Sequence, residues 1–321
     1  MFIVKDRRKI GEILFDPQDS RELLKLSKRK HELQGCVDIL CSDMAVGQLS
    51  NLKMLNLYEN EIESLQNIGK LAPPSTSLTD LNLGNNLIKD IPDEFATLKS
   101  LKKLWIDDNY LEEFPITLCC LTALTELRLS GNQMTMIPPS IDNLQLLTTL
   151  SLDNNRIEQF PMGILKLPVL EHLWLRQNKI TVLPDEISAL TMLKTLSVST
   201  NKLLTLPTTI TALVALEYLY ANANMIDDSQ HAILNALCTL PNIKKMNFAN
   251  NKLAKVPSVW ESSYGKYSNK KGVLSMTNDN GGDEGDENDD HNKMERDDND
   301  DTVIVTLIGN PLEANNAGTA R

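Results

Sequence analysis

An eleven-position pattern, L-x-x-L-x-L-x-x-N-x-L, returns every 23 residues through most of this chain, starting at Leu78, Leu101, Leu124, Leu147, Leu170, Leu193 and Leu216. Each start is followed three and five positions on by small or large apolar residues and eight positions on by Asn, from Leu81/Leu83/Asn86 to Leu219/Ala221/Asn224. Two apolar residues two apart put both side chains on one face of a strand and the intervening one on the other. So short a strand cannot bury its apolar face alone, and the next repeat has to cover it. The chain must therefore stack coil upon coil.

The rest of each coil follows from the same arithmetic. The Asn stands where the chain leaves the strand, and its short amide can satisfy backbone groups in the bend. Most repeats then run apolar-Pro-x-x-apolar-x-x-apolar, as in Ile91-Pro92-Phe95-Leu98 and Leu183-Pro184-Ile187-Leu190. A spacing of three predicts a 3₁₀ or short helical turn, with Pro at its first position. The expected class is α/β: a leucine-rich-repeat right-handed solenoid, a horseshoe. Short parallel strands line its concave face, and 3₁₀ or short helices line its convex face.

The two ends depart from the period. Leu52/Leu55/Leu57/Asn60/Ile62 is a good repeat, and Val37/Ile39/Ser42/Met44 reads as a degenerate opening one. Ahead of it, Asp19 and Glu22 sit where a capping pair would precede a helix through Leu23, Leu24 and Leu26. Residues 1–48 are thus expected to be a cap closing the apolar end of the stack, and 49–262 about nine repeats. Within these, Ser229 followed by Ile233, Leu234, Leu237 and Leu240 predicts a capped amphipathic helix. Trp260 falls in a convex apolar slot. The strand pattern then lapses until Val305/Leu307/Asn310/Leu312, which marks 263–301 as an insertion and 302–321 as a closing repeat and tail. The insertion is poor in large apolar residues and rich in Asp, Asn, Gly and Lys, so it is expected to lack order.

The net charge of −11 is concentrated there. Twelve acidic against two basic residues between Asp279 and Asp301 account for −10 of it, which leaves the repeats nearly neutral and argues against nucleic acid as a partner. Five cysteines, an odd number and not clustered at the two ends, point to a reducing setting. The first residues lack a signal-peptide core, and no apolar run approaches the ~18 residues of a membrane span. The expected location is cytoplasmic. Basic runs at Lys5–Lys9 and Lys28–Lys30 leave the nucleus open, although solvated faces explain them as well.

Chemistry is sparse. The four His (31, 172, 231, 291) are isolated, with no His/Cys ligand spacing, no phosphate-cradling glycine loop and no nucleophile motif. Neither Gly282 nor Gly285, placed sixth in a calcium loop, puts Asp at both the first and third positions. Neither a metal, a cofactor nor catalysis is expected.

Function is expected on the outward side of the strands. The position between the two apolar residues of each dyad reads Asn56, Asn82, Trp105, Arg128, Ser151, Trp174, Ser197, Tyr220, Asn247. Against a background of small polar residues, Trp105, Arg128, His172, Trp174, Arg176, Tyr218 and Tyr220 form the candidate protein-binding set. Trp, Tyr and Arg bury much area with few rotamers to freeze, and so dominate interface hot spots.

The consensus with Ile/Leu-Pro after the Asn resembles the intracellular leucine-rich-repeat family that includes the Ras suppressor, Ras-binding scaffolds and the Scribble/Erbin group. That resemblance covers about Leu49 to Trp260 plus Leu307–Leu312. It implies a monomeric scaffold or adaptor in signalling, binding protein partners such as a small GTPase or protein phosphatase 1. It assigns no GTPase contact to any residue here. The acidic run offers an alternative, similar to the acidic leucine-rich nuclear phosphoproteins: a chaperone-like binder of basic proteins such as histones.

Overall fold

The computed structural model describes residues 9, 10, 12, 22–33, 35–72, 77–255, 257, 272–275, 303–307, 310 and 311. Each apolar dyad begins in a three-residue strand. In chain order these are β1 (Leu23–Lys25), β2 (Met54–Asn56), β3 (Asp80–Asn82), β4 (Lys103–Trp105) and β5 (Glu126–Arg128). There follow β6 (Thr149–Ser151), β7 (His172–Trp174), β8 (Thr195–Ser197), β9 (Tyr218–Tyr220) and β10 (Lys245–Asn247). Each pairs in parallel with the next, and their central residues share one register: Leu55, Leu81, Leu104, Leu127, Leu150, Leu173, Leu196, Leu219 and Met246. All nine are fully buried. With the strands on the concave side, this is a leucine-rich-repeat horseshoe of class α/β.

The convex return is a 3₁₀ turn in six successive coils, at Asp93–Thr97, Ile116–Cys120, Pro139–Asn143, Met162–Lys166, Asp185–Ala189 and Thr208–Ala212. The repeat's proline stands just ahead of each turn, at the capping position and with extended ψ, one place earlier than expected. Its fixed φ suits that position, and the N–H it lacks has no partner to lose there.

The conserved spacing of Asn has a hydrogen-bonded cause. Asn155 Nδ2 donates to the carbonyls of Leu152 and Asp153 in its own coil and of Leu129 in the coil before, at 3.0–3.1 Å. Its Oδ1 accepts from Met134 N of that earlier coil at 3.1 Å. Asn86, Asn109, Asn132, Asn178, Asn201, Asn224 and Asn251 repeat the arrangement. Asn310 adds the next rung, accepting from Asn251 N and Leu253 N at 3.1 Å. The residue before each Asn from 60 to 251 is left-handed, with φ between 51 and 67°.

The ends differ from the sequence expectation. Residues 23–25 form a strand, not a helix: β1 pairs with β2, and Leu24 and Leu26 supply a dyad of their own. The Asn slot of that coil holds Arg29, whose N–H donates to Asn60 Oδ1. Residues 37–44 accordingly form the convex return of this longer first coil, not an opening strand. Val37, Leu40 and Cys41 are buried, and Ser42 caps the helix Asp43–Gln48. The helix after the Asn224 turn spans His231–Leu237, but Ser229 does not cap it: a 3₁₀ turn, Asp228–Gln230, leads into the helix and is itself capped by Asp227, which accepts from Ser229 N at 3.0 Å.

The expected unordered span 263–301 is also corrected at four residues. Gly272–Ser275 form β11, parallel to β12 (Val303–Thr306), in the order β10-β12-β11. The backbone groups of β12 left open beyond β10 provide the partner that four residues of modest apolarity need. Asp19, Trp260 and the acidic run 279–301 lie outside the described residues.

Candidate protein-binding face

The outward column formed by the last residue of each strand places Trp105, Arg128, Ser151, Trp174, Ser197, Tyr220 and Asn247 side by side in register. With parallel strands about 4.8 Å apart, Trp105 and Trp174 stand roughly 15 Å apart and Tyr220 about 10 Å beyond Trp174. The structure groups the candidates into clusters. At one end Trp105 Nε1 donates to Glu126 Oε1 at 2.7 Å, and the Arg128 guanidinium lies 6.0 Å from the Trp105 ring centroid. The same Glu126 oxygen receives Arg128 Nε at 2.7 Å, and Lys103 Nζ stands 3.6 Å from its other oxygen. Glu126 thus holds the side chains of both Trp105 and Arg128 in place, and the Trp105 ring stays half-exposed.

In the middle, His172 and Trp174 stack with centroids 5.5 Å apart and planes 17° from parallel. His172 Nδ1 lies 3.0 Å from Thr195 Oγ1. Burial holds the His172 pKa below its ordinary value, against the pull of Glu171, so the ring is neutral at pH 7. At the far end, Lys245 Nζ sits 5.4 Å from the centroid of Tyr220, with Tyr218 two residues before it on the same strand.

Arg176 belongs to a cavity of about 280 Å³ where the strands turn out of the sheet, shared with Asp107, Arg128, Ser130, Ser151 and Asp153. Its backbone N–H donates to Asp153 Oδ1 at 2.6 Å, as Ser130 N–H does to Asp107 Oδ1 at 2.8 Å. Burial is the largest influence on Asp107, and pushes its carboxyl up to about 6 despite Ser130 and Arg128.

The two tryptophans are half-buried, because each lies against a neighbouring side chain. The small polar residues between the aromatics are covered: Ser151, Thr195, Ser197 and Ser199 are all buried, flanked by larger side chains. Sequence reasoning missed Glu126 and Lys245. Their signal was available, since each stands in the neighbouring outward column, one strand on from the ring it serves. Among the described residues no group of three His, Cys, Asp or Glu could hold a metal ion, and no helix is long and apolar enough to cross a membrane.

Comparison with known proteins agrees with this geometry. The family described as a leucine-rich repeat region matches residues 150–256, the leucine rich repeat family matches 76–134, and a two-copy form of it matches 122–162. Together they span more than half of the sequence, and the chain belongs to the leucine-rich-repeat proteins, whose domains in general are protein–protein interaction modules.

Among solved structures, a leucine-rich-repeat protein of Leptospira interrogans superposes with a TM-score of 0.66 at 28% identity, over 79% of this chain and 67% of that one. The Arabidopsis receptor kinase HAESA, in complex with the peptide hormone IDA and the co-receptor SERK1, gives 0.62 at 26% identity, over 75% and 40%. An internalin of Listeria monocytogenes gives 0.60 at 22%, over 68% and 60%, a likeness of fold alone. A probable serine/threonine-protein kinase of Dictyostelium discoideum, pats1, is 40% identical over 83 residues. That match is 25% of this chain and only 2% of the kinase's length.

Proposed function

We propose that this protein is a non-enzymatic scaffold or adaptor in intracellular signalling that binds a partner protein on the concave face of its sheet. The observation that carries this reading is the outward aromatic column: Trp105, Trp174 and Tyr220, each held by a partner side chain and each half-exposed. Rings already fixed in place lose little entropy when a partner covers them, which is what a hot spot requires. The similar HAESA structure contains a peptide hormone and a co-receptor, which accords with a fold that presents its surface to polypeptide ligands. The resemblance to Ras-suppressor and Scribble/Erbin repeats favours a small GTPase or protein phosphatase 1 as partner and the cytoplasm as location.

The test is affinity capture from cell extract with the wild-type chain and with Trp174→Ala and Tyr220→Ala. Each substitution is expected to weaken capture of the main partner at least tenfold, about 1.4 kcal/mol or more. Unchanged capture by both variants ends this assignment. Raising the salt separates it from the histone-chaperone alternative: capture through the acidic run would collapse, whereas capture through the rings would persist.

A further inference from the structure

On the flank of the horseshoe where the chain passes from each strand to the convex turn, a groove of about 900 Å³ crosses three consecutive coils, those of Asn86, Asn109 and Asn132. Its apolar lining is open to solvent: Ile116 is 65% exposed, Met136 66% and Tyr110 46%. Three exposed carboxylates, Asp90, Glu112 and Glu113, line the same groove against one ammonium, Lys89. None of the three carboxylates is in an ion pair among the described residues.

The repeat explains why the charge is left over. Glu158 occupies, in a later coil, the position that Glu112 has in its own, three after the Asn. It lies 3.6 Å from Lys179, which follows the Asn of the next coil. The residue equivalent to Lys179 beside Glu112 is Gln133, which carries no charge. The next coil therefore leaves the Glu112 carboxylate without a cation, and leaves it beside unburied apolar side chains.

We propose that this groove is a second docking surface, taken by a short segment of a partner protein that combines a bulky apolar side chain with flanking Lys or Arg. The apolar side chain seats among Tyr110, Ile116 and Met136, where it and they leave water together. The flanking cations meet Asp90, Glu112 and Glu113, and fix which segment is accepted. Because this surface and the aromatic column lie on different sides of the coil, one chain can hold two partners at once.

The test uses the full chain with ¹³C-methyl methionine and a synthetic twelve-residue peptide of alternating Leu and Arg as probe. The Met136 methyl resonance, assigned through Met136→Leu, reports on the groove alone. A saturable shift of that resonance is expected, with affinity at least tenfold weaker in the Glu112→Lys/Glu113→Lys double variant and unaffected by Trp174→Ala. The other methionine methyls show that the exposed double substitution leaves the fold intact. A peptide with Glu in place of Arg is expected to leave Met136 unmoved. The proposal is overturned if Met136 does not respond, if the acidic peptide shifts it equally, or if the double variant binds as wild type does. It is overturned too if the resonance already depends on protein concentration without peptide, since a second copy would then hold the groove.

Discussion

At the scale of single residues, what matters is how little freedom the coil leaves them. The left-handed position before each Asn is filled by Gly131 and by Asn85, Asp108, Asn154 and Asn250, which tolerate it, but also by Glu59, Gln177, Thr200 and Ala223. Only the demands of the stack hold the last four there, since left-handed backbone costs an L-residue about 1–2 kcal/mol. At Gly131 an added Cβ would also meet Asp108 Oδ1, so that carboxylate would have to move aside.

Asp107 shows the same confinement electrostatically. Its folded pKa, near 6, lies above the unfolded carboxylate value, so the folded state holds the proton more tightly. Its contribution is therefore full below about pH 4 and is lost as pH rises through about 6. Asp107→Asn keeps an acceptor for Ser130 N and removes the buried charge. It is expected to raise stability by about 1–2 kcal/mol at pH 8, with the gain vanishing toward pH 4. Urea unfolding at the two pH values measures it; an equal effect at both would mean that Asp107 does not titrate with folding.

At the scale of the element, the unit is the coil with its asparagine, since the strand alone is only three residues long. Asn155 joins two coils through one acceptor and three donor contacts, and its partners Leu129, Met134 and Leu152 are fully buried. Asn155→Ala is expected to cost about 3 kcal/mol or more, because several buried backbone groups lose their partners at once. Asn155→Asp is expected to cost at least as much, for a carboxylate cannot donate to Leu129, Leu152 and Asp153. Thermal melts followed by circular dichroism decide this; a loss below 1 kcal/mol would show the rung to be dispensable.

That rung was legible in the sequence, since an Asn at fixed distance from an apolar dyad has few other uses. Glu126 was not nominated, because its importance lies in the ring one strand away, 21 residues back in the chain. The burial of the serines was not legible for a related reason: a small side chain is covered by the size of its neighbours, not by anything of its own.

At the scale of the molecule, each coil touches only the coils beside it, so stability accumulates along the stack and the ends decide whether it stays soluble. Removing residues 1–49 would uncover the edge of β2 and the apolar faces of Leu55 and Leu57, which the first coil buries. The truncated chain is expected to melt lower and to self-associate, measured by circular dichroism and light scattering. A truncated chain that stays monodisperse with an unchanged melting point would mean that the first coil is no cap.

By itself the sequence determined the repeating coil, its period, the convex turn and the Asn rungs, since all of these depend on residues within one repeat and its immediate neighbours. Tertiary structure alone decided where the stack begins, because Leu23 and Leu26 share one side of a helix as readily as Leu24 and Leu26 share one face of a strand until β2 is beside them. It also decided which outward residues are held, which are covered and which carboxylates go unpaired. Those outcomes depend on side chains meeting across coils, at distances that spacing along the chain does not contain.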